Sequence, residues 1–215
     1  MYLTPGSRPD LSFAISYLSR FLDKPTQRLI CNAKRVLRYR KATQNYGIFY
    51  DNRLDGKFTF NSDSDYANCP QTRKNVSASM IHSNGGPIFW ASSRQSCVSL
   101  STTEAELIAA TETAKATVWF CELVNELGYR EVPKILIDNE ATIKLVKDDM
   151  FHKRSKHIDL KYFYIRQLVE EKRIEVGHIP TEYQKSDILS KPLNEPTFVK
   201  LRNLIGIKPV TNEDS

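Results

Sequence analysis

The chain has 215 residues, of which 40% are hydrophobic and 26% are charged, so it is long enough to bury the core of one large domain. Its 31 lysines and arginines outnumber its 25 aspartates and glutamates, which favours a polyanionic partner. The four cysteines form no C-x-x-C pair, which argues against a zinc ribbon or a disulfide framework. No apolar run approaches the roughly 18 residues that a membrane span needs, and no signal-peptide pattern is present. We therefore expect an intracellular protein, cytoplasmic or nuclear, with no membrane partner.

The first part of the chain has helical patterning. Apolar residues at helical spacing predict one helix over residues 8–22 and a second over 26–41, separated by Pro25. From Tyr46 the pattern changes to short segments rich in aromatic and apolar residues, with turn signals such as Asn84-Gly85-Gly86 between them. These segments predict antiparallel strands over 46–51, 56–63, 76–82 and 87–93.

Helices and strands alternate in the second half of the chain. A long helix is predicted from about Thr103 to Leu127, where Gly128 lies at a C-cap position. Further strands are predicted over 133–138 and 173–179, and further helices over 139–147, within the basic stretch 151–172, and over 182–191 and 195–204. This order favours an α/β fold in which helices cover a mixed sheet.

Two glutamates lie in the first turns of the long helix, and the helical period separates them. At about 100° per residue, Glu106 falls within the apolar stripe, whereas Glu104 falls about 160° away on the side that faces water. Each also fits a capping box, starting at Ser101 and Thr103 respectively. A carboxylate on a core-facing stripe needs a cation to offset its desolvation. We therefore expect a functional role for Glu106, and capping or solvation for Glu104.

Three further acids lie at the ends of predicted elements. Asp63 and Asp138 each close a strand, and Asp187 lies one turn into a helix preceded by the capping-box pattern T-E-Y-Q that starts at Thr181. Each acid alone is an ordinary turn or cap residue. Together with Glu106 they form a set of carboxylates at the edges of adjacent elements, which suits an oxygen-ligated divalent cation. Such a ligand set favours Mg²⁺ or Mn²⁺ over zinc.

Several segments carry a family resemblance. "SDSDYANCPQTRKNVSASMIHSNGG", "STTEAELIAATETAKATVWF", "IDNEATIKLVKD", "FHKRSKHIDLKYFYIRQLVEE" and "HIPTEYQKSDILSKPL" resemble, in order, the ribonuclease H domain of copia-type (Pseudoviridae) retrotransposon Pol polyproteins. The lead-in resembles the segment that joins the reverse transcriptase to that domain. The resemblance implies a ribonuclease H-like mixed five-stranded sheet with flanking helices over 46–193, after a helical lead-in over 1–45 and before a C-terminal helix and polar tail over 194–215.

The resemblance also implies the active-site residues. They are Asp63, Glu106, Asp138 and Asp187, as ligands of two Mg²⁺ or Mn²⁺ ions. Strand alternation alone leaves Asp63 and Asp65 open, because both point to the same face; the family pattern favours Asp63. The implied reaction is hydrolysis of the RNA strand of an RNA/DNA hybrid, in which one ion activates water and the other stabilises the leaving 3′ oxygen. A requirement for 2′-hydroxyls distinguishes RNA from DNA.

Other residues are candidates for auxiliary roles. His178, at the end of the last predicted strand, is a candidate for product release or proton transfer, with an ordinary hydrogen bond as the simpler interpretation. Two basic segments are candidates for contacting a phosphate backbone, with a solvated basic face as the alternative. Their residues are Lys34, Arg38 and Lys41 in the lead-in, which share a helix face, and Lys153, Arg154 and Lys156 in the basic stretch.

Two functions are consistent with these patterns. The first is a divalent-metal-dependent ribonuclease H with no small-molecule cofactor, acting with a reverse transcriptase or other Pol domains, and located in a virus-like particle if the element is active. The alternative is a catalytically silent or domesticated nucleic-acid-binding remnant that keeps the fold. The presence of all four acids favours the first function. Two carboxylates 4 Å apart repel by roughly 1 kcal/mol in water and about 4 kcal/mol at an effective dielectric near 20, so a copy without a metal-dependent function has no reason to keep such a cluster.

Overall fold

The computed structural model describes residues 2–66, 69, 72–147 and 156–210, with the backbone alone for 156–159. The helices are α1 (Leu3–Gly6), α2 (Ser12–Leu18), α3 (Gln27–Ala42), α4 (Thr102–Asn125), α5 (Glu140–Lys147), α6 (Lys156–Glu170), α7 (Asp187–Ser190) and α8 (Glu195–Leu204). The strands are β1 (Tyr46–Ile48), β2 (Thr59–Asp65), β3 (Val76–Ser83), β4 (Gly86–Arg94), β5 (Lys134–Ile137), β6 (Glu175–His178) and β7 (Ile207–Pro209).

The central sheet has five strands in the order β4-β3-β2-β5-β6. Strand β3 pairs antiparallel with both β2 and β4, whereas β5 runs parallel to β2, and β6 runs parallel to β5. The α/β class and the mixed five-stranded sheet with flanking helices are therefore confirmed. Because β2 and β5 run in the same direction, their carboxyl ends meet at one edge of the sheet.

Apolar side chains cover both faces of the sheet. On one face, Phe60 and Ile135 pack with Leu107 of α4 and Ile165 of α6 in a buried cluster. On the other face, Met80 belongs to a second cluster, which also contains Ile188, Leu189, Leu201, Ile205 and Ile207. Alternation along each strand accounts for this division, since successive side chains point to opposite faces. Within the described residues, no helix is long and apolar enough to cross a membrane.

The turn between β3 and β4 has two residues, Asn84 and Gly85, because Ser83 pairs with Gly86. Both have positive φ angles, 50° and 82°, which two-residue hairpin turns that match the twist of the strands require. Asparagine and glycine adopt such angles at little cost, so this turn follows from local sequence.

The predicted strand over 46–51 does not join the central sheet. Its observed part, β1, pairs antiparallel with β7 in a separate two-stranded sheet. Just before β7, Gly206 lies so close to the preceding hairpin that an added Cβ would lie 2.1 Å from the backbone oxygen of Gly85. The C-terminal strand β7 is thus the hydrogen-bonding partner of β1. The local sequence pattern did not predict this pairing.

Of the two helices predicted in the lead-in, the second is confirmed as α3, whereas the first is interrupted. Residues 8–22 form a 3₁₀ turn at Pro9–Leu11, helix α2 and a second 3₁₀ turn at Ser19–Phe21, instead of one continuous helix. Arg8, just before the first turn, donates to both carboxylate oxygens of Asp10, at 2.9 and 2.7 Å, and to the hydroxyl and carbonyl oxygens of Thr43 at the end of α3. These buried contacts favour the tighter turn at this position.

The lead-in also contacts the rest of the domain. Tyr39 of α3 donates to Asp10 at 2.7 Å, and its ring packs edge-on against Phe198 of α8. Trp90 of β4 donates from its indole nitrogen to the backbone oxygen of Thr4, at 2.7 Å. Polar and aromatic contacts therefore connect the lead-in to both the sheet and the C-terminal helix.

Candidate metal centre

Three carboxylates converge at the edge where β2 and β5 end. The last residues through which β2 and β5 pair with each other are Asn61 and Leu136, and Asp63 and Asp138 each lie two positions further along. Glu106, on α4, accepts a hydrogen bond from the backbone nitrogen of Ser64 at 3.0 Å. One oxygen from each of Asp63, Glu106 and Asp138 lies within 4.8 Å of the other two. Two strands and one helix thus bring together three acids separated by 75 residues of sequence.

The structure distinguishes the two glutamates of α4 by their contacts. Glu106 is 5% exposed, so its predicted position on the buried stripe is confirmed. Glu104 is 7% exposed, so of its two predicted roles exposure to water is wrong and capping is confirmed. The reason is its cap: Ser101 accepts from the backbone nitrogen of Glu104, and the Glu104 carboxylate accepts from the backbone nitrogen of Leu100 at 2.9 Å. Capping folds this carboxylate back over the helix start.

Asp187 meets the cluster through a residue that the sequence interpretation missed. It is the first residue of α7, and its carboxylate lies 2.9 Å from Nζ of Lys191, one turn later. The same ammonium lies 3.6 Å from Asp63, and the Ser190 hydroxyl also donates to Asp63. Among the described residues, the group of mutually close ligand atoms contains Asp63 and neither Asp65 nor Asp187. The spacing of four between Asp187 and Lys191 was the available signal.

Burial and mutual repulsion disfavour ionisation within the cluster. Desolvation and the neighbouring acids raise the pKa of Glu106 well above its usual range, and desolvation raises that of Asp63. The pKa of Asp187 rises to about 8, mainly through desolvation and then through Asp63. Burial alone would lower the pKa of Lys191, but Asp63 and Asp187 outweigh it and raise that pKa. Such a cluster gains from an added cation.

A buried glutamine holds the segment that carries Asp187. Gln184 is fully buried, donates to the backbone oxygen of Ser62 at 2.9 Å, and accepts from the Asn61 side chain at 3.1 Å. It also lies 3.5 Å from the backbone oxygen of Leu136, so one side chain contacts both β2 and β5.

These contacts overturn the predicted helix over 182–191. Residues Thr181–Tyr183 form a 3₁₀ turn and α7 begins only at Asp187, so Asp187 opens its helix instead of lying one turn inside it. The proposed capping box is absent because Gln184 bonds to the strands, while the Thr181 hydroxyl donates to Asp138 at 3.1 Å. Tertiary hydrogen bonds replaced the local ones.

Replacing Gln184 with leucine should lower the free energy of unfolding by about 2–4 kcal/mol, since it leaves the buried Asn61 amide and Ser62 carbonyl without this partner. The matched control is Gln167→Leu, at an exposed glutamine of α6, which should change stability by less than about 0.5 kcal/mol. Urea unfolding of the two variants measures the difference. Equal stability of Gln184→Leu and Gln167→Leu would show that the buried hydrogen bonds of Gln184 do not stabilise the fold.

The remaining predicted site residues lie elsewhere or outside the described residues. His178 is exposed and ends β6, paired in register with Ile137, so it lies beside the strand end that leads to Asp138. The three basic residues of α3 are exposed and lie on a helix that contacts α2 and, through Tyr39, α8. These are Lys34, Arg38 and Lys41. Lys153 and Arg154 lie outside the described residues, and only the backbone of Lys156 is described.

The cluster fits a divalent cation. Its donors are all carboxylate oxygens, which Mg²⁺ and Mn²⁺ prefer. Oε2 of Glu106 is buried and has no hydrogen-bond partner within the described part of the chain. An unpartnered buried carboxylate oxygen is costly unless a cation faces it. Asp63, Glu106 and Asp138 are therefore the residues that would hold such an ion.

The mixed sheet and the carboxylates at its edge define a ribonuclease H-like domain. No family model matches the chain. It is 35% identical over 211 residues to the retrovirus-related Pol polyprotein from transposon TNT 1-94 of Nicotiana tabacum, and 34% identical over 206 residues to that from transposon RE1 of Arabidopsis thaliana. These alignments cover 96% and 95% of the chain. The chain belongs to the family of retrovirus-related Pol polyproteins of copia-type transposons.

The chain spans only 16% and 14% of the length of these two relatives. Among solved structures, it is similar to LC11-RNase H1 in complex with an RNA/DNA hybrid, with 14% sequence identity and a TM-score of 0.48. That similarity covers 62% of this chain and 94% of the solved chain.

Proposed function

We propose that the chain is a divalent-metal-dependent endonuclease that hydrolyses the RNA strand of RNA/DNA hybrids, as the ribonuclease H part of a Pol polyprotein. The observation that carries this proposal is the convergence of Asp63, Glu106 and Asp138 within 4.8 Å, with a buried oxygen of Glu106 left without a partner in the described part. Asp187 is proposed as a fourth acidic residue of the site, linked to Asp63 through Lys191.

The chain's own residues would do the following. Asp63, Glu106 and Asp138 would hold a cation at the strand edge, and the Ser64 backbone nitrogen would fix the orientation of the Glu106 carboxylate. Bound Mg²⁺ would supply a water of lowered pKa and a counter-charge for the leaving oxygen. His178, exposed beside the same edge, would act on protons or product there. The basic residues of α3 would bind phosphates at a distance from the cleaved bond.

The partners proposed are an RNA/DNA hybrid and, in the polyprotein, a reverse transcriptase or another Pol domain. The excess of six basic over acidic residues suits a polyanionic substrate. The proposed location is intracellular, inside a virus-like particle where the element is active.

The test is cleavage of labelled duplexes by the purified chain. We expect an RNA/DNA hybrid to be cut in Mg²⁺ but not in EDTA, and double-stranded DNA to stay intact because it lacks 2′-hydroxyls. Asp63→Asn should abolish hybrid cleavage, whereas Asp51→Asn, at an exposed ion pair, should retain it. Equal cleavage of double-stranded DNA would contradict the proposal. Tight hybrid binding without cleavage in Mg²⁺ or Mn²⁺ would favour a silent binding remnant.

A further inference from the structure

The carboxylate cluster contains a cation that the chain itself supplies. Nζ of Lys191 lies 2.9 Å from Oδ1 of Asp187 and 3.6 Å from Oδ2 of Asp63. The Lys191 side chain is 27% exposed, whereas those of Asp63 and Asp187 are 1% and 6% exposed. Lys191 therefore reaches from the surface into a largely buried acidic pair.

The two sides of Asp63 differ in how their negative charge is balanced. On the side of Glu106 and Asp138, three carboxylate oxygens lie close together, and Oε2 of Glu106 has no hydrogen-bond partner among the described residues. On the side of Asp187, Oδ1 of Asp187 likewise accepts no hydrogen bond within the described part of the chain, but the ammonium of Lys191 faces it at 2.9 Å. One side of the cluster is thus open to a cation, and the other is occupied.

We propose that Lys191 is a resident counter-cation on the Asp63–Asp187 side of the cluster, so that a first divalent ion binds to Asp63, Glu106 and Asp138 with the ammonium still in place, whereas a second binds only by displacing the ammonium. This inference rests on the proposed metal-dependent function. It assigns Lys191 a role in setting how many ions the chain holds, and it makes the two ion sites unequal in affinity.

Removing the positive charge should therefore have opposite effects on the metal-free and metal-loaded protein. In Lys191→Met the side chain keeps a similar length, but Asp63 and Asp187 lose their buried counter-charge. The metal-free variant should unfold at a lower temperature than the wild type. A divalent ion should bind to it more tightly, because a like charge near the site has been removed. An added ion should then restore stability more in the variant than in the wild type.

The experiment is titration with Mn²⁺ by calorimetry, with no nucleic acid present, combined with thermal unfolding in EDTA and in excess Mn²⁺. The wild type should bind one ion clearly more tightly than a second. In Lys191→Met we expect the affinity for the second ion to rise by about tenfold or more, as the repulsion between charges a few ångströms apart requires. Lys191→Arg keeps the charge and should retain the wild-type difference between the two ions.

The matched control is Lys144→Met. Lys144 forms an ion pair with Glu140 at the same spacing of four residues, but its side chain is 79% exposed and the pair lies 4.0 Å apart. This variant should bind Mn²⁺ as the wild type does. If Lys191→Met does not fold in EDTA, recovery of its thermal transition on adding Mn²⁺ supports the proposal. Failure to recover, with Lys191→Gln behaving as the wild type, overturns it.

An unchanged second-ion affinity in a folded Lys191→Met also overturns the proposal, since the ammonium then does not compete with a cation. This outcome differs from failure of the proposed function itself. If the wild type binds no Mn²⁺ at all, the metal centre is wrong. If it binds one ion and cleaves hybrid while Lys191→Met changes nothing, only the role of Lys191 is wrong.

Discussion

Replacing Glu106 with glutamine is expected to abolish hybrid cleavage, whereas the same change at Glu104 should leave most of it. The two residues lie two positions apart on α4 and are equally buried, yet only Glu106 faces Asp63 and Asp138. Loss of a residue that only hydrogen-bonds to a metal ligand lowers metal affinity or activity by about 10–100-fold. Loss of the ligand itself should therefore lower the cleavage rate by at least about 100-fold. Single-turnover cleavage of a labelled hybrid at saturating Mg²⁺ measures the difference.

The metal-free stabilities of these two variants should change in opposite directions. The pKa of Glu106 is raised well above its usual range by desolvation and by Asp63 and Asp138, so a neutral glutamine should raise the unfolding temperature in EDTA. Replacing Glu104 weakens the hydrogen bond to the Leu100 backbone nitrogen and should cost about 0.5–1 kcal/mol. Retained cleavage by Glu106→Gln, or loss of cleavage by Glu104→Gln, would contradict the assignment of the metal ligand.

Replacing Asp10 with asparagine is expected to destabilise the protein by about 3–5 kcal/mol, because it leaves a buried guanidinium without its anion. The side chains of Asp10 and Arg8 are 0% and 7% exposed, and the Tyr39 hydroxyl donates to the same carboxylate. Burial and then Asp10 raise the pKa of Tyr39 to about 12, which keeps this hydroxyl a donor. Urea unfolding at neutral pH, followed by fluorescence and by circular dichroism, measures the loss.

The chain contains a matched control for this prediction. Asp51 and Arg53, also two residues apart, form the same bidentate ion pair, with N–O distances of 2.9 Å. Their side chains, however, are 38% and 86% exposed. Asp51→Asn should therefore cost less than about 1 kcal/mol. A similar small cost at both positions would mean that the Arg8 pair is not an essential part of the fold.

The same experiment tests the proposed boundary between the lead-in and the ribonuclease H-like domain. Tyr39 of the lead-in packs against Phe198 of α8, and Trp90 of β4 donates to the backbone oxygen of Thr4, so we propose that the lead-in and the sheet unfold together. The two probes should then give the same transition midpoint for the wild type. Separate transitions would instead support an independent lead-in over residues 1–45.

Local sequence determined the parts of the fold that depend on period and turn chemistry. The 3.6-residue period placed Glu106 on the buried stripe of α4. Short apolar segments bounded by turn residues predicted the strands that lead to Asp63 and Asp138. Asn84-Gly85 specified the hairpin because few other residues adopt its backbone angles. Of the two capping boxes that the sequence offered, the one at Ser101 begins the helix. In each case the information lies within a few residues along the chain.

Tertiary structure decided what depends on distant partners. Periodicity placed Glu104 towards water, but its cap buried it; local pattern extended the helix over 182–191, but Gln184 bonded to β2 and β5 instead. Strand alternation did not distinguish Asp63 from Asp65 as the metal ligand, because both point to the same face. The parallel pairing of β2 with β5 places Asp63 beside the other acids. The sequence analysis assigned no role to Lys191, and only the fold brings its ammonium within 3.6 Å of Asp63, 128 positions earlier in the chain. Contacts across the fold set these outcomes, because desolvation and charge act through space and leave no local pattern.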